Sequence, residues 1–244
     1  MTTRMVNVSK EAMRIVRTLE LQFPSGPNKT GSAFLAPASG RLLTCAHVVL
    51  NDQGERASRV WVSMPGGSRY ESTVEKVHEG NDLASLKTSE ADAPPVAAAT
   101  MPEVGEQVVF AGLPQGLAKA SVFPGIVSAT GTGLLRRPRC ELVQIAGMIN
   151  NGNSGGPVLN EVGELVGVVT AKYVPLLQAI ERLTRDLAAI PQFPREVIIG
   201  SVDFSKFVNV TIKSMWQLAA VLRLVQVGTG WAVPAKYFSL VGGL

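Results

Sequence analysis

Three segments of the sequence place a histidine, an aspartate and a serine where they could support covalent catalysis by a hydroxyl. They read LLTCAHVV around His47, EGNDLASLK around Asp82 and NGNSGGP around Ser154. A neighbouring imidazole can accept the proton of a serine hydroxyl, and a buried carboxylate can fix the imidazole tautomer. The three segments therefore predict Ser154 as a nucleophile, His47 as its base and Asp82 as the orienting carboxylate.

The turn that carries Ser154 also offers hydrogen-bond donors for the negative oxygen that develops during acyl transfer. Its glycines let backbone N–H groups face outward, where preorganised donors stabilise an oxyanion. We assign this oxyanion-binding turn to Gly152, Asn153 and Ser154, with the N–H groups of Gly152 and Ser154 as donors. Serines in glycine-rich turns are commonly structural, so the assignment depends on the two distant segments as well.

Short strands must position these residues. From about residue 15 to residue 172 the chain alternates apolar runs such as RLLTCAHVV, EQVVFAG and ELVGVVTA with segments rich in glycine, proline or asparagine. The segments ASG and PGGSR between such runs indicate hairpins. This spacing favours antiparallel barrels or sandwiches over alternating strands and helices.

The segment SEADAPPVAAATMPEVGE, residues 89–106, is rich in alanine and proline and predicts a connection between two halves. We place the first half, with its leading segment and this connection, at residues 1–100. The second half covers residues 101–244.

A helical insertion interrupts the second half at about residues 173–224, before a last strand in VQVGTGWAVPA. Apolar residues recur every three or four positions in VPLLQAIERLTRDLAAI and again over residues 204–222, which is the helical period. A packed pair of helices is the simplest interpretation. The alternative is a docking element for a regulatory protein partner or substrate, since the insertion begins next to the strand expected to line the site.

The composition excludes several classes of protein. Hydrophobic residues make up 46% and charged residues 17% of the 244 residues, which predicts a sizeable core rather than disorder. The net charge is +4, and its one tight cluster, Arg136-Arg137-Pro138-Arg139, is interpreted as a solvated loop tip. No apolar run reaches the roughly 18 residues of a membrane helix. We therefore expect neither a nucleic-acid nor a membrane partner.

The two cysteines and two histidines, Cys45, Cys140, His47 and His78, lack the spacing of zinc ligands. We expect no metal and no cofactor, and we expect His78 to be a surface residue. Cys45 is interpreted as a small buried apolar residue, with a Cys45–Cys140 disulfide as the alternative. Few cysteines and the absence of a secretory leader predict a cytoplasmic location.

Taken together, the segments resemble the chymotrypsin-fold (trypsin-like) serine peptidases, and most closely their HtrA/Deg-type branch. The resemblance rests on GSAFLAPASGRLLTCAHVV, AGLPQGLAKASVFPGIVSATG, GNSGGPVLNEVGELVGVVTA and GTGWAVPA, and covers about residues 12–172 and 226–238. It implies a mainly β fold of two six-stranded antiparallel barrels with the site in the cleft between them. It also implies hydrolysis of peptide bonds in protein or peptide substrates through an acyl-enzyme.

Two departures limit what the resemblance implies. Digestive-type relatives carry an aspartate at the place of Asn153, and that aspartate pairs with a newly cut N-terminus. An amide cannot form this ion pair, so activation by N-terminal clipping is not expected; HtrA-like enzymes also have asparagine here. The chain ends at Leu244, shortly after the last strand, so we expect no PDZ domain. We also do not extend the trimer formation of HtrA-type proteins to this chain.

The resemblance places the base of the specificity pocket at Met148. The other wall residues are Thr170, Ala171, Lys172 and Thr229. Methionine cannot select lysine or arginine, so we predict cleavage after small or medium apolar residues; core packing is the alternative role for Met148. Thr170 is also expected to bond to Asp82. The leading hypothesis is a serine endopeptidase, and the alternative is a latent protease-fold module activated by a partner at the insertion.

Overall fold

The computed structural model describes residues 3–36, 40–90, 96–114, 119–131, 140–172, 185, 198–199, 202–224 and 228–243. The chain forms two compact units, residues 1–172 with 227–244 and residues 173–226. The Arg136–Arg139 cluster lies outside the described residues.

The first β-sheet holds seven antiparallel strands. They are β1 Val16–Gln22, β2 Lys29–Leu35, β3 Arg41–Thr44, β4 Arg59–Ser63, β5 Arg69–Ser72, β6 Val74–His78 and β7 Leu83–Lys87, in the order β5-β4-β1-β2-β3-β7-β6. Only Thr73 separates β5 from β6, so one bent strand lies at both edges of the sheet. Seven strands replace the predicted six because this strand breaks at Thr73, whose carbonyl accepts a hydrogen bond from Lys87 N at 2.9 Å.

The second sheet is a closed six-stranded barrel, as predicted. Its strands are β8 Gln107–Gly112, β9 Ser121–Gly131, β10 Leu142–Gly147, β11 Pro157–Asn160, β12 Leu165–Lys172 and β15 Thr229–Pro234, in the order β10-β15-β12-β11-β8-β9. Its core includes the fully buried residues Val108, Phe110, Val127, Val143, Ile145 and Val158. The mainly β, chymotrypsin-type architecture inferred from the sequence is confirmed.

A helix that the sequence analysis missed precedes the first strand. This helix, α1 (Thr3–Ile15), buries Met5, Val8, Ala12 and Ile15, which recur every three or four positions along one face. It packs on β8, β9 and β11 of the second barrel and leads directly into β1 of the first. The helix therefore helps to hold the two barrels together.

A buried ion pair lies where the first sheet leads into the connection between the barrels. The side chains of Arg17 and Glu90 are only 4% and 10% exposed. Arg17 Nε donates to Glu90 Oε1 at 2.9 Å, and Tyr70 Oη donates to the same oxygen at 2.8 Å. Because a buried charge needs a partner, this pair ties the end of β7 to β1.

The same five-residue turn, Asn-x-x-Gly-Glu, occurs at residues 51–55 and 160–164. In each turn the asparagine Oδ1 accepts hydrogen bonds from the N–H groups two and four residues later, and its Nδ2 donates to the glutamate carboxylate. Gly54 and Gly163 adopt φ of +80° and +87°, the left-handed region that glycine tolerates best.

The second unit contains the short pair β13 Ile198–Ile199 and β14 Val202–Asp203, and the helix α3 (Phe204–Leu224). This helix confirms the second of the two predicted helical runs. The first run, residues 174–190, lies outside the described residues except for Arg185, which is helical. Across the described residues, every helix is too short or too polar to span a bilayer.

Candidate active site

His47 and Asp82 come together where the end of β3 meets the start of the neighbouring strand β7. Strand β3 ends at Thr44, and His47 lies in the single helical turn α2 (Ala46–Val49) that follows. Asp82 closes the 3-10 turn Glu79–Asn81 just before β7. Its φ of +54° is the only positive value at a non-glycine residue in the described part of the chain, and aspartate tolerates that conformation.

The His47–Asp82 pair is fixed by two hydrogen bonds. His47 Nδ1 lies 2.8 Å from Asp82 Oδ2, and the His47 backbone N donates to Oδ1 at 2.9 Å. An ionised carboxylate only accepts hydrogen bonds, so Nδ1 carries the proton and Nε2 is left as a base. The His47 side chain is 48% exposed, so molecules in solution can reach the imidazole.

Asp82 stays ionised although it is buried. Burial alone would raise its pKa, but the hydrogen bonds and charge of His47, together with a hydrogen bond from Thr170, outweigh burial and lower the pKa. Thr170 Oγ1 on β12 donates to Asp82 Oδ2, which confirms the predicted contact between the barrels. His78 also shapes this region, because its Nδ1 accepts from Asn81 N at 3.2 Å in the turn before Asp82.

The turn with Ser154 lies between β10 and β11 and packs closely on the first barrel. Gly155 has φ of +89°, and a Cβ atom there would lie 1.9 Å from Ser32 O and 2.3 Å from Thr44 Oγ1. A Cβ at Gly156 would lie 1.8 Å from Ala111 O. These glycines are required because no side-chain atom fits between the backbones.

The oxyanion-binding role predicted for this turn requires backbone N–H groups without an acceptor in the protein. Within the described part of the chain, the N–H groups of Gly152 and Ser154 have no acceptor. The Asn153 N–H, in contrast, donates to Asn150 O at 3.1 Å. This pattern agrees with the prediction that Gly152 and Ser154 supply the donors and Asn153 shapes the turn, and the oxyanion role of the three residues stays a prediction.

The Ser154 hydroxyl forms a hydrogen bond with the backbone carbonyl of Thr170 rather than with His47. Ser154 Oγ donates to Thr170 O at 3.2 Å, and the hydrogen bonds between described residues include none between Ser154 and His47. Thr170 thus contacts both halves of the site, since its side chain binds Asp82 and its carbonyl accepts from Ser154. Rotation of one side-chain torsion, χ1 of Ser154, would release the hydroxyl from this carbonyl.

The predicted pocket residues lie on neighbouring segments. Thr170, Ala171 and Lys172 belong to β12, which pairs with β15, where Thr229 lies. The side chains of Ala171 and Lys172 fall outside the description. Met148 is 54% exposed, which is more open than the base of an enclosed pocket, so its role in specificity stays a prediction.

A cavity of about 390 Å³ opens beside His47 and was not foreseen from the sequence. Its walls include Lys29, Asn51, Asp52 and Glu79. Lys29 Nζ donates to Leu50 O at 2.8 Å. The cavity leaves open space next to the imidazole.

Both cysteines are free thiols, so the alternative of a disulfide is wrong. Cys45 is fully buried, as predicted, and donates to Val169 O at 3.1 Å; burial raises its pKa well above the ordinary value. Its sulfur lies within 4.8 Å of the ligand atoms of His47 and Asp82. A protonated thiol is a poor metal ligand, and all three groups already hydrogen-bond within the protein. Burial also raises the pKa of Cys140, to about 11.

The sequence of the chain is similar to that of known proteins. The profile of a family described as "Trypsin-like peptidase domain" matches residues 31–168. Serine protease HTRA4 of Mus musculus is 35% identical over 153 residues, which is 60% of this chain and 30% of that protein. The putative serine protease HhoA of Synechocystis is 36% identical over 149 residues, 58% of this chain and 36% of that protein. The chain thus spans about a third of the length of these relatives.

Solved structures show the same fold. A serine endoprotease from Yersinia pestis has a TM-score of 0.64 and 24% identity, covering 98% of this chain and 65% of that one. The HtrA-type protease AlgW with a tripeptide has a TM-score of 0.64 and 23% identity, covering 95% of this chain and 60% of that one.

Proposed function

Because the chain belongs to the trypsin-like peptidase domain family, we propose that it is a serine endopeptidase that hydrolyses peptide bonds in protein or peptide substrates. Ser154 is the nucleophile, His47 the general base and Asp82 the carboxylate that orients the imidazole. The observation that carries the proposal is the arrangement around Thr170, which brings the His47–Asp82 pair and the Ser154 hydroxyl to one strand.

The proposed reaction uses the donors and acceptors already described. Ser154 Oγ attacks the carbonyl carbon while its proton passes to His47 Nε2, and Asp82 stabilises the imidazolium. The negative oxygen of the tetrahedral intermediate binds the N–H groups of Gly152 and Ser154. The imidazolium then protonates the leaving amine, and water, activated by the same base, hydrolyses the acyl-enzyme.

The hydrogen bond from Ser154 to Thr170 favours a second candidate, in which the protein is a latent module that a partner activates at residues 173–224. The strength of this hydrogen bond decides between the active endopeptidase and the latent module. A neutral hydrogen bond contributes only about 0.5–1.5 kcal/mol net, which is roughly a tenfold bias at most. With both N–H donors free, so small a bias does not lock the site. We therefore prefer the active endopeptidase.

Substrate preference follows from the side chains expected near the scissile bond. Met148 supplies no negative charge, so we propose cleavage after small or medium apolar residues. The AlgW structure contains a tripeptide, which agrees with a peptide ligand for a protein of this fold. Profiling with a peptide library tests this preference, and dominant cleavage after lysine or arginine would contradict it.

Activity-based labelling tests the nucleophile. A fluorophosphonate probe should modify the wild-type protein, and Ser154→Ala should abolish the labelling. Ser68→Ala removes an exposed hydroxyl far from the site in sequence and serves as the control that leaves labelling unchanged. Labelling that survives Ser154→Ala would refute the assignment.

The cytoplasmic location and the regulatory partner remain predictions. Fractionation of cells that express the tagged protein tests the first. Deletion of residues 173–224 tests the regulatory partner. If the protein is a latent module, this deletion should prevent activation by any partner.

A further inference from the structure

Ser32 on β2 of the first barrel makes four hydrogen bonds around the Ser154 turn while being fully buried. Its backbone N donates to Ser154 O at 3.0 Å, and its Oγ donates to Gly152 O at 2.7 Å. Its Oγ also accepts from Leu113 N at 2.8 Å, and its carbonyl accepts from Thr44 Oγ1 at 2.7 Å. One residue therefore holds two carbonyls of the turn.

The direction of the Ser32 hydroxyl proton is determined by its neighbours. Leu113 N can only donate, so it occupies a lone pair of Ser32 Oγ. The hydroxyl proton is then left for Gly152 O, which can only accept. The hydroxyl thus has a single satisfied arrangement, and a fully satisfied buried polar group is rigid.

The two carbonyls that Ser32 holds belong to Gly152 and Ser154, whose N–H groups have no acceptor among the described residues. Gly152 adopts φ of +92° and has no Cβ to restrict its torsions. A hydrogen bond to its carbonyl restricts the ψ angle that glycine leaves loose. Holding Gly152 O and Ser154 O on the Ser32 side keeps the turn in the conformation in which both donors are unpaired.

Ser32 also connects this turn to the barrel that carries the base. Thr44, which binds the Ser32 carbonyl, lies on β3 only three residues before His47. The donors for the oxyanion come from the second barrel, and the base comes from the first. A displacement of either barrel would therefore be transmitted through Ser32 to the other half of the site.

We propose that Ser32 is a positioning residue that sets the Gly152 and Ser154 donors for the oxyanion. This inference deepens the proposed function and rests on it. Because Ser32 acts through the turn, its hydroxyl should matter most where charge develops on the substrate oxygen. The effect should appear in kcat and in the affinity for tetrahedral adducts, and little in KM.

Ser32→Ala and Ser85→Ala make a matched pair of variants. Both serines are fully buried, but Ser85 Oγ has no hydrogen-bond partner among the described residues. Loss of an oxyanion donor lowers kcat by about 100–1000-fold, and an indirect loss should lower it by roughly 10–100-fold. For Ser32→Ala we expect this fall in kcat, counted per active site titrated with fluorophosphonate. KM should stay within about twofold of the wild-type value. The affinity for a peptide boronate should fall by the same factor as kcat.

Ser85→Ala should leave kcat per titrated site unchanged. Titration separates positioning from folding, since a merely destabilised variant loses sites but keeps its kcat per site. Where Ser32→Ala does not fold, Ser32→Cys replaces it, and its weak S–H donor should give an intermediate kcat. Unchanged kcat and boronate affinity in the Ser32 variant, or an equal fall in Ser85→Ala, would overturn the inference.

A readout independent of turnover separates this inference from the proposed function. In ¹⁵N-labelled protein, the Gly152 amide should shift and exchange with solvent faster in Ser32→Ala than in wild type or Ser85→Ala. An unchanged Gly152 amide overturns the positioning role. If the wild type shows no hydrolysis or labelling while this amide responds as expected, the proposed function fails and the positioning role stands.

Discussion

Replacing Gly155 by alanine should destabilise the protein far more than the same replacement at Gly163. The two glycines have nearly the same backbone conformation, with φ of +89° and +87°. A Cβ at Gly155 would lie 1.9 Å from Ser32 O, whereas a Cβ at Gly163 would have no atom within 4 Å. The pair therefore separates the cost of close backbone approach from the cost of a left-handed conformation.

The magnitudes follow from these two costs. An alanine in the left-handed region costs about 1–2 kcal/mol, which both variants incur. At Gly155 the overlap with the Ser32 backbone adds the cost of overpacking, about 1–3 kcal/mol or more. For a unit of this size each kcal/mol lowers Tm by roughly 2–4 °C. We expect a Tm decrease of about 2–8 °C for Gly163→Ala and about 4–20 °C for Gly155→Ala.

Thermal unfolding and the rate of fluorophosphonate labelling together measure the effect. Gly155→Ala should also slow the labelling, because relief of the overlap must move the turn that carries Ser154. Gly163→Ala should label at the wild-type rate. Equal Tm decreases and equal labelling rates in the two variants would refute the close packing of this turn on Ser32.

Three further predictions concern the charged groups. Thr170→Val should raise the pKa of Asp82, which carboxyl NMR titration measures. It should also lower kcat/KM roughly 10–100-fold, because a hydrogen bond to a charged group contributes about 1.5–3 kcal/mol. An unchanged pKa of Asp82 would contradict the role of Thr170. Arg17→Ala should cost roughly 3–5 kcal/mol in urea unfolding, because it leaves Glu90 buried without its partner, while Arg59→Ala at an exposed pair should cost much less; equal losses would contradict this. The folded-state pKa of Asp82 is lowered, so its contribution to stability is present above the unfolded pKa of about 3.9 and is lost as pH falls through the folded pKa. Asp82→Asn should therefore flatten the stability curve below about pH 4, and an unaltered curve would refute this.

The sequence predicts the site residues because each lies in a short segment with its own local pattern. The turn around Ser154 needs glycines at fixed places, and the segments before His47 and Asp82 combine an apolar run with one polar group. The two-barrel fold was predictable for the same reason, since strands and turns leave local signals of apolar alternation and glycine.

The missed features depend on contacts between distant segments. The apolar period of α1 is present in Met5, Val8, Ala12 and Ile15, but only its packing on the second barrel shows that it is a helix. Ser32 gives no local signal, because its hydroxyl acts on Gly152, 120 residues away. The break at Thr73 likewise shows only in the strand order, where β5 and β6 lie at opposite edges of the sheet.

Trapping the acyl-enzyme is the direct test of Ser154 as the nucleophile. The wild-type protein is mixed with an activated ester of a short apolar peptide, quenched in acid, digested and analysed by mass spectrometry. We expect an acyl group on Ser154 that forms much more slowly in His47→Ala and is absent in Ser154→Ala. An acyl group on any other residue, or ester turnover that persists in Ser154→Ala, would contradict this assignment.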